Sequence, residues 1–270
     1  MARDPADILA ALAGAKPIRQ RLLIVVAHPD DETVGMGAQL CRLRGALLLH
    51  VTDGAPRDGE DARGAGFTDP AEYAAARRSE LAAALAAGDA QGIRTMRLGL
   101  ADQEACRELV RLVNDIAAVL RRERPAAVVT HAYEGGHPDH DATAFAVHGA
   151  CQLTEDGSAP SVIEMPLYHA DRGRLVAGRF LPADSAGVTI PLRREARRRK
   201  RRMVACFQTQ RRVLSQFDLR TERFRLAPTY NFAAPPHPGT LIYETFGWRI
   251  DAAAEWRRNS AAALAELGLA

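Results

Sequence analysis

Two short clusters of imidazole and carboxylate side chains carry the chemistry in this sequence. The first reads His-Pro-Asp-Asp-Glu over residues 28–32, and the second reads His-Pro-Asp-His-Asp over residues 137–141. Side chains three residues apart in a helical turn point the same way, and proline suits the first turn of a helix. We therefore expect His28 to converge with Asp31, and the two histidines of the second cluster to converge with each other.

Two imidazoles and one carboxylate, with a coordination position left for water, are typical of a catalytic zinc site. Asp30 stands beside a ligand-type residue but points elsewhere, so it is placed to take a proton from water that a metal has acidified. Taken alone, either cluster is better interpreted as a helix N-cap with a surface histidine. Together they favour a metal site, because burying so many ionisable groups without a cation would be costly. The same ligand types serve non-haem iron(II) enzymes, so the residues leave zinc and iron(II) open.

Buried strands alternate with helices over the first 170 residues. Short continuous apolar runs predict strands that are buried on both faces. These runs cover residues 22–27, 46–52, 126–131 and 162–169, with a shorter one at 95–98. The helical segments between them make the chain a three-layer α/β fold with a mostly parallel sheet and a Rossmann-like core. Ligand sites of such sheets lie beyond the carboxyl ends of the strands, which is where both clusters fall.

The alternating pattern weakens after residue 171. We predict helices over residues 191–208 and 252–267, and a strand over residues 240–246. No linker or repeat marks a domain boundary. We therefore expect one domain over residues 1–270, with a core at about 20–170 and a C-terminal part, 171–270, that completes the sheet and the substrate pocket.

The composition bounds the class of protein. The 270 residues are 47% apolar and 26% charged, and the net charge is +3, which is typical of a globular protein with one large core. No apolar run approaches the roughly 20 residues of a membrane-spanning helix. The four cysteines are far apart and no secretory signal pattern precedes the first strand, so we expect a cytoplasmic protein.

The two clusters together resemble the paired signatures of the PIG-L/LmbE-like zinc-dependent de-N-acetylases. The segments that carry the resemblance are AHPDDE at residues 27–32 and HPDHD at residues 137–141, and the likeness extends over about residues 20–170. It implies an α/β fold and a hydrolase that removes the N-acetyl group from an N-acetylated amino sugar or glycoconjugate. The implied partner is this small-molecule substrate, and the implied cofactor is Zn²⁺.

The resemblance also assigns roles to single residues. It implies three zinc ligands: His28, Asp31 and His140. It implies Asp30 as the general base, His137 as the group that stabilises the oxyanion or protonates the leaving amine, and Asp139 as a residue that orients a histidine. Three weaker assignments concern substrate binding: Arg77, Asp102 and Tyr133. Tyr133 is included because the mycothiol-type members carry a tyrosine where this sequence has Gly135, and it is the nearest phenol.

Alternative functions follow from other features. The Arg-rich segment 193–202 holds eight basic residues in ten, which would suit a nucleic-acid-binding protein or a non-catalytic metal-binding member of the family. We expect instead a solvated helix, with a secondary role in holding an anionic substrate, and no nucleic-acid partner. A phospho-receiver domain would explain the first cluster but leave HPDHD without a role. The oligomeric state stays open.

Overall fold

A seven-stranded sheet forms the centre of the protein in a computed structural model that describes residues 5–154, 159–247 and 252–269. The strands are β1 (Leu22–Val26), β2 (Leu47–Pro56), β3 (Arg94–Asp102), β4 (Ala127–His131), β5 (Ser161–Met165), β6 (Tyr168–Asp171), β7 (Arg174–Ala177), β8 (Gly187–Pro191) and β9 (Thr221–Leu226). The sheet has the order β3-β2-β1-β4-β5-β9-β8. The first five strands in this order run parallel to one another. Strand β9 pairs antiparallel with β5, and β8 pairs antiparallel with β9. Strands β6 and β7 pair with each other in a separate antiparallel hairpin.

Helices cover both faces of the sheet. They are α1 (Pro5–Ala13), α2 (Asp31–Leu40), α3 (Glu60–Gly64), α4 (Pro70–Ala87), α5 (Leu109–Glu123), α6 (Pro138–Gln152), α7 (Arg194–Val204), α8 (Arg211–Leu214) and α9 (Ala252–Leu267). Short 3₁₀ turns occur at Ala105–Arg107, Gln208–Gln210 and Ile242–Thr245. Alternate residues of β1 face opposite layers: Ile24 packs in the core beneath α2, α4 and α7, and Val25 packs in the core beneath α5 and α6. This confirms the predicted three-layer α/β fold with a mostly parallel sheet.

Two local predictions were wrong. The apolar run 162–169 is not one strand, because it breaks at Pro166 into β5 of the main sheet and β6 of the hairpin. Residues 240–246 form a 3₁₀ turn instead of a strand. The Glu244 carboxylate closes this turn by accepting from the Leu241 backbone N–H at 2.7 Å.

Helix α2 is interrupted one turn after its first residue, where Met36 leaves the helical conformation with φ −143° and ψ 20°. An ion pair takes the place of a helical hydrogen bond there. The Lys200 ammonium donates to the Val34 carbonyl at 2.6 Å, and the Glu222 carboxylate accepts from the Ala38 N–H at 2.8 Å. Lys200 and Glu222 also contact each other at 2.7 Å, and both side chains are buried. The C-terminal part of the chain thus holds the helix that carries one of the two polar clusters.

The C-terminal part also contributes to the same sheet through β8 and β9. Gly35, in the interrupted part of α2, lies so close to β5 that an added Cβ would overlap the Met165 side chain. Glycine is needed at this position because the helix could otherwise not approach the strand. Within the described ranges, none of the helices combines the length and apolarity that crossing a bilayer requires.

Candidate metal centre

The two polar clusters meet at the carboxyl ends of β1 and β4. These strands are neighbours in the sheet and run parallel, so their ends lie side by side. The first cluster forms the turn between β1 and α2, and the second begins α6, with His137 at the N-cap and Pro138 in the first turn. Asp30 has a φ of 150°, a strained value for a residue other than glycine. Such strain persists where the surrounding structure fixes the backbone, and it occurs often at functional sites.

His28, Asp31 and His140 converge on one point. His28 Nδ1 lies 3.2 Å from His140 Nε2 and 3.4 Å from the Asp31 carboxylate. His140 Nε2 lies 3.3 Å from the same carboxylate. A tetrahedral zinc site with bonds of about 2.0–2.1 Å places its ligand atoms roughly 3.3–3.4 Å apart. The nearest contacts involve Oδ2 of Asp31 for His28 and Oδ1 for His140, so the three groups are close enough together to hold one cation.

His131 lies close to this centre but already has a different task. Its Nε2 accepts a hydrogen bond from the Ala27 backbone N–H at 2.9 Å, so that nitrogen carries no proton and its lone pair is in use. The ring stacks on His140 with centroids 4.2 Å apart. Burial, together with the nearby His140, lowers the pKa of His131 to about 4. His131 therefore supports the His140 ring as a neutral imidazole and is a poor candidate for a ligand.

Asp139 fixes the orientation of His28. Its carboxylate accepts backbone N–H groups of Gln103 at 2.6 Å and Ala105 at 3.1 Å, and it lies 3.2 Å from His28 Nε2. The Asp102 carboxylate lies 3.1 Å from the same nitrogen. Both carboxylates favour a proton on Nε2, which leaves Nδ1 as the lone-pair nitrogen facing the other two donors. Carboxylates commonly hold metal-binding histidines in this way.

His137 is arranged as a hydrogen-bond donor. Its Nδ1 accepts from the Asp139 backbone N–H at 3.1 Å, so the remaining proton of a neutral ring sits on Nε2. Burial and the neighbouring His28 hold the pKa of His137 well below its usual value. Nε2 lies 3.6 Å from the Asp102 carboxylate, and the ring lines the same cleft as the three converging donors.

Asp30 is held by Arg77. The guanidinium of Arg77 donates to the Asp30 carboxylate at 3.2 Å, and only 2% of the Arg77 side chain is exposed. Burial, assisted by the charge of Asp31 and opposed by that of Arg77, raises the pKa of Asp30 to about 7. The resemblance implied Arg77 as a substrate-binding residue. In the structure it lies at the wall of the cleft in a buried ion pair with Asp30.

A cleft of about 1210 Å³ opens above this centre. Its lining includes the donors of the centre as well as Asp30, Arg77 and Asp102. For Asp102, burial acts to raise the pKa, but His28 and His137 outweigh it and hold the pKa below its usual value. Of the nine predicted site residues, eight belong to this cluster and its surroundings.

Tyr133 is the residue that the structure does not bring to the site. Its hydroxyl donates to the Ala234 carbonyl and accepts from the Trp256 indole N–H, both at 2.8 Å, within the core beneath α5 and α6. It does not line the cleft. A tyrosine at Gly135 would be strained, because this residue has a φ of +72° and an added Cβ would lie 2.7 Å from the end of the Leu241 side chain.

Two residues near the centre were missed by sequence reasoning. Tyr168 lines the cleft and meets His140 edge-on with ring centroids 5.5 Å apart. Glu134 accepts the backbone N–H groups of Leu167 and Tyr168 at 2.7 and 3.0 Å and so fixes this tyrosine. In the sequence, the only feature that pointed to a role in the site for either residue was its position just after the end of a strand.

A buried cluster of two histidines and one carboxylate at the carboxyl edge of a parallel sheet defines a metal-site protein of the α/β class. A sequence profile of the PIG-L family, described as GlcNAc-PI de-N-acetylase, matches residues 23–151. Proteins named 1D-myo-inositol 2-acetamido-2-deoxy-alpha-D-glucopyranoside deacetylase, from Mycobacterium tuberculosis and Mycobacterium bovis, are each 37% identical over 142 residues. The match covers 44% of this chain and 47% of theirs, so the chain spans about half the length of these curated relatives.

Solved structures show the same fold. A deacetylase of the teicoplanin biosynthesis pathway superposes with a TM-score of 0.60 at 20% identity, covering 76% of this chain and 96% of that one. The A40926 pseudoaglycone deacetylase Dbv21 superposes with a TM-score of 0.59 at 21% identity, covering 79% and 99%. Over residues 23–151, a little under half of its length, the chain is similar to the PIG-L family of de-N-acetylases.

Proposed function

We propose that this protein is a metal-dependent hydrolase that removes the N-acetyl group from an N-acetylated amino sugar or glycoconjugate. The observation that carries the proposal is the convergence of three metal-type donors, spaced at 3.2–3.4 Å, in one cleft with the carboxylate of Asp30. The curated relatives add support, since their name describes deacetylation of an acetamido sugar.

We propose His28, Asp31 and His140 as the ligands and Zn²⁺ as the ion. Zinc suits a site of two imidazoles and one carboxylate. A bound zinc ion supplies Lewis-acid polarisation of an amide carbonyl and makes water acidic enough to be deprotonated near neutral pH.

Asp30 then transfers the protons, and His137 stabilises the developing charge. Asp30, held by Arg77, takes a proton from the attacking water as the oxygen adds to the amide carbon. The Nε2–H of His137 donates to the amide oxygen, where negative charge develops. When the C–N bond breaks, the proton on Asp30 passes to the departing nitrogen, and acetate and a free amine leave. Asp139 keeps His28 in the orientation that this arrangement needs.

The Arg-rich segment receives a structural role in this proposal. Lys200 is buried in its ion pair, and the guanidinium groups of Arg199 and Arg202 each donate to a backbone carbonyl, of Ala38 and Ala87, at 3.3 Å. These contacts attach α7 to α2 and α4. They account for three of its basic residues without a nucleic acid.

The decisive experiment measures acetate release from a panel of N-acetylated glucosamine derivatives. The protein is stripped of metal with a chelator and then assayed before and after addition of Zn²⁺ or Fe²⁺. We expect release that depends on added metal, with zinc the more effective ion. If no member of the panel released acetate with either metal, the proposal would be contradicted.

A further inference from the structure

We propose that the substrate carries an apolar group next to its acetamido sugar, and that one wall of the cleft binds this group. The inference rests on the proposed deacetylase function and names a chemical class of substrate for the same site. The wall, called here the apolar wall, consists of Leu175, Val213 and Phe246.

Within the part of the chain that the structure describes, the exposed large hydrophobic side chains all line one cleft. Among the described residues, the large hydrophobic side chains with more than a third of their surface exposed are Leu175 at 37%, Val213 at 44% and Phe246 at 43%. All three line the cleft that contains the metal centre. Isolated exposed hydrophobic residues are normal on a protein surface. Three that come from separate parts of the chain and share one concave site with a candidate metal centre indicate a ligand.

The apolar wall is held in place relative to the reacting groups. Val213 belongs to α8, and the 3₁₀ turn just before α8 is bonded to α4. There the Thr209 backbone N–H donates to Glu80 at 2.9 Å, and the Gln210 amide donates to the Tyr73 hydroxyl at 2.6 Å. Helix α4 also carries Arg77, which holds Asp30. A preformed wall loses little freedom when it binds a ligand.

Leu175 is linked to the centre by a different route. It lies on β7, which pairs with β6, and β6 begins at Tyr168, the residue whose ring meets His140. The cleft of about 1210 Å³ is larger than the roughly 300–1,000 Å³ of sites for drug-sized ligands. One monosaccharide would leave much of it filled with water.

The polar part of the lining suits the sugar. It includes Glu80, Thr209 and Gln210 beside the charged groups of the centre. The combination of polar and apolar linings in one cleft therefore favours an amphiphilic small molecule. A protein partner or a second copy of this chain would need a broader apolar face than this concave one.

The test uses the metal-loaded protein and a matched series of 2-acetamido-2-deoxyglucosides with methyl, butyl and hexyl aglycones. We expect KM to fall by up to about fourfold for each methylene that becomes buried, with kcat unchanged. The double variant Leu175→Asn, Val213→Thr preserves side-chain size. In this variant we expect KM no longer to depend on the length of the aglycone, while the methyl glycoside is still hydrolysed. The control Leu175→Met, Val213→Ile keeps the wall apolar and keeps the dependence.

Calorimetric binding of the same glycosides separates this inference from the proposed function. If no glycoside is hydrolysed but Kd falls with chain length in the wild type and not in the Asn/Thr variant, the apolar wall stands and the deacetylase proposal fails. If the methyl and hexyl glycosides have equal KM and equal Kd, the wall does not bind the aglycone. Dissociation of an oligomer by the Asn/Thr variant would likewise overturn the inference, because a second copy would then be the occupant.

Discussion

Asp139 holds His28 by its Nε2 at 3.2 Å and, together with Asp102 at 3.1 Å from the same nitrogen, sets which nitrogen of His28 faces Asp31 and His140. The carboxylate cannot turn away easily, because two backbone N–H groups, of Gln103 and Ala105, also bind it. The orientation of a candidate ligand in the turn after β1 is therefore set in part by a residue of the second cluster.

Replacing Asp139 with Asn is expected to weaken zinc binding by about 10- to 100-fold, since the amide can present an N–H to His28 and so favour the wrong tautomer. Competition with a chromophoric chelator measures the affinity. The exposed Asp115 of α5 provides the control, and Asp115→Asn should bind zinc like the wild type. Equal affinities for the two variants would show that Asp139 does not orient a ligand.

Metal binding should be stoichiometric and should stabilise the fold. A ligand that binds only the native state at 100 times its Kd contributes about 2.7 kcal/mol, which corresponds to a rise of several degrees in Tm. We expect one zinc ion per chain by elemental analysis and a zinc-dependent Tm. In His140→Ala both effects should be lost, and a full metal content in this variant would remove His140 from the ligand set.

Asp30→Asn separates binding from catalysis. The residue is assigned no metal contact, so the variant should retain zinc, whereas loss of a general base should lower acetate release by roughly 10²- to 10⁴-fold. Asp89→Asn is a suitable control, because Asp89 is exposed and has a positive φ that asparagine tolerates. Turnover near the wild-type level with metal bound would show that another group is the base.

Arg77→Met distinguishes two roles for this arginine. If Arg77 positions Asp30, kcat should fall, and a displacement of about 1 Å can cost roughly 10²-fold, while KM changes little. If Arg77 contacts the substrate instead, KM should rise. The neighbouring Arg78 is exposed, so Arg78→Met serves as the matched control on the same helix.

The Lys200–Glu222 pair should be important for stability. Lys200→Met leaves the Glu222 carboxylate buried without its cation, which is expected to cost about 3–5 kcal/mol in the free energy of unfolding. The double variant Lys200→Met, Glu222→Leu should lose less, because Val34 and Ala38 can then form the helical hydrogen bond that the ion pair replaces.

Urea denaturation measures these differences, and Arg201→Met, at the exposed neighbouring position, should be close to neutral. A Lys200→Met variant as stable as Arg201→Met would show that the buried pair contributes nothing to the fold.

Local sequence patterns were enough to predict the parallel core and the two clusters. Short continuous apolar runs indicate strands buried on both faces, and the carboxyl ends of neighbouring parallel strands meet at one edge of the sheet. The convergence of His28 and His140 therefore follows from the order of strands and polar residues along the chain. The paired motifs further indicated the family.

Contacts between distant segments decided the rest. No local pattern linked Arg77 to the first cluster, yet tertiary packing places its guanidinium on Asp30, 47 residues away. Tyr133 is close in sequence to the second cluster, but its side chain packs in the core beneath α5 and α6 and bonds to Trp256. Closeness in sequence does not decide whether a side chain faces the cleft or the core.

In the Arg-rich segment, too, the local sequence predicted the helix and contacts with distant segments decided the direction of a side chain. Its composition predicted a helix with basic side chains, and α7 is that helix. Only the folded structure shows that Lys200 points inward to Glu222 and into a broken turn of α2, because the site that receives it is built from residues 166 and 22 positions away. The sequence by itself determined the elements and the residue types at the strand ends. The tertiary structure decided which atoms face the centre, since burial and hydrogen bonding from remote segments set each side chain's direction.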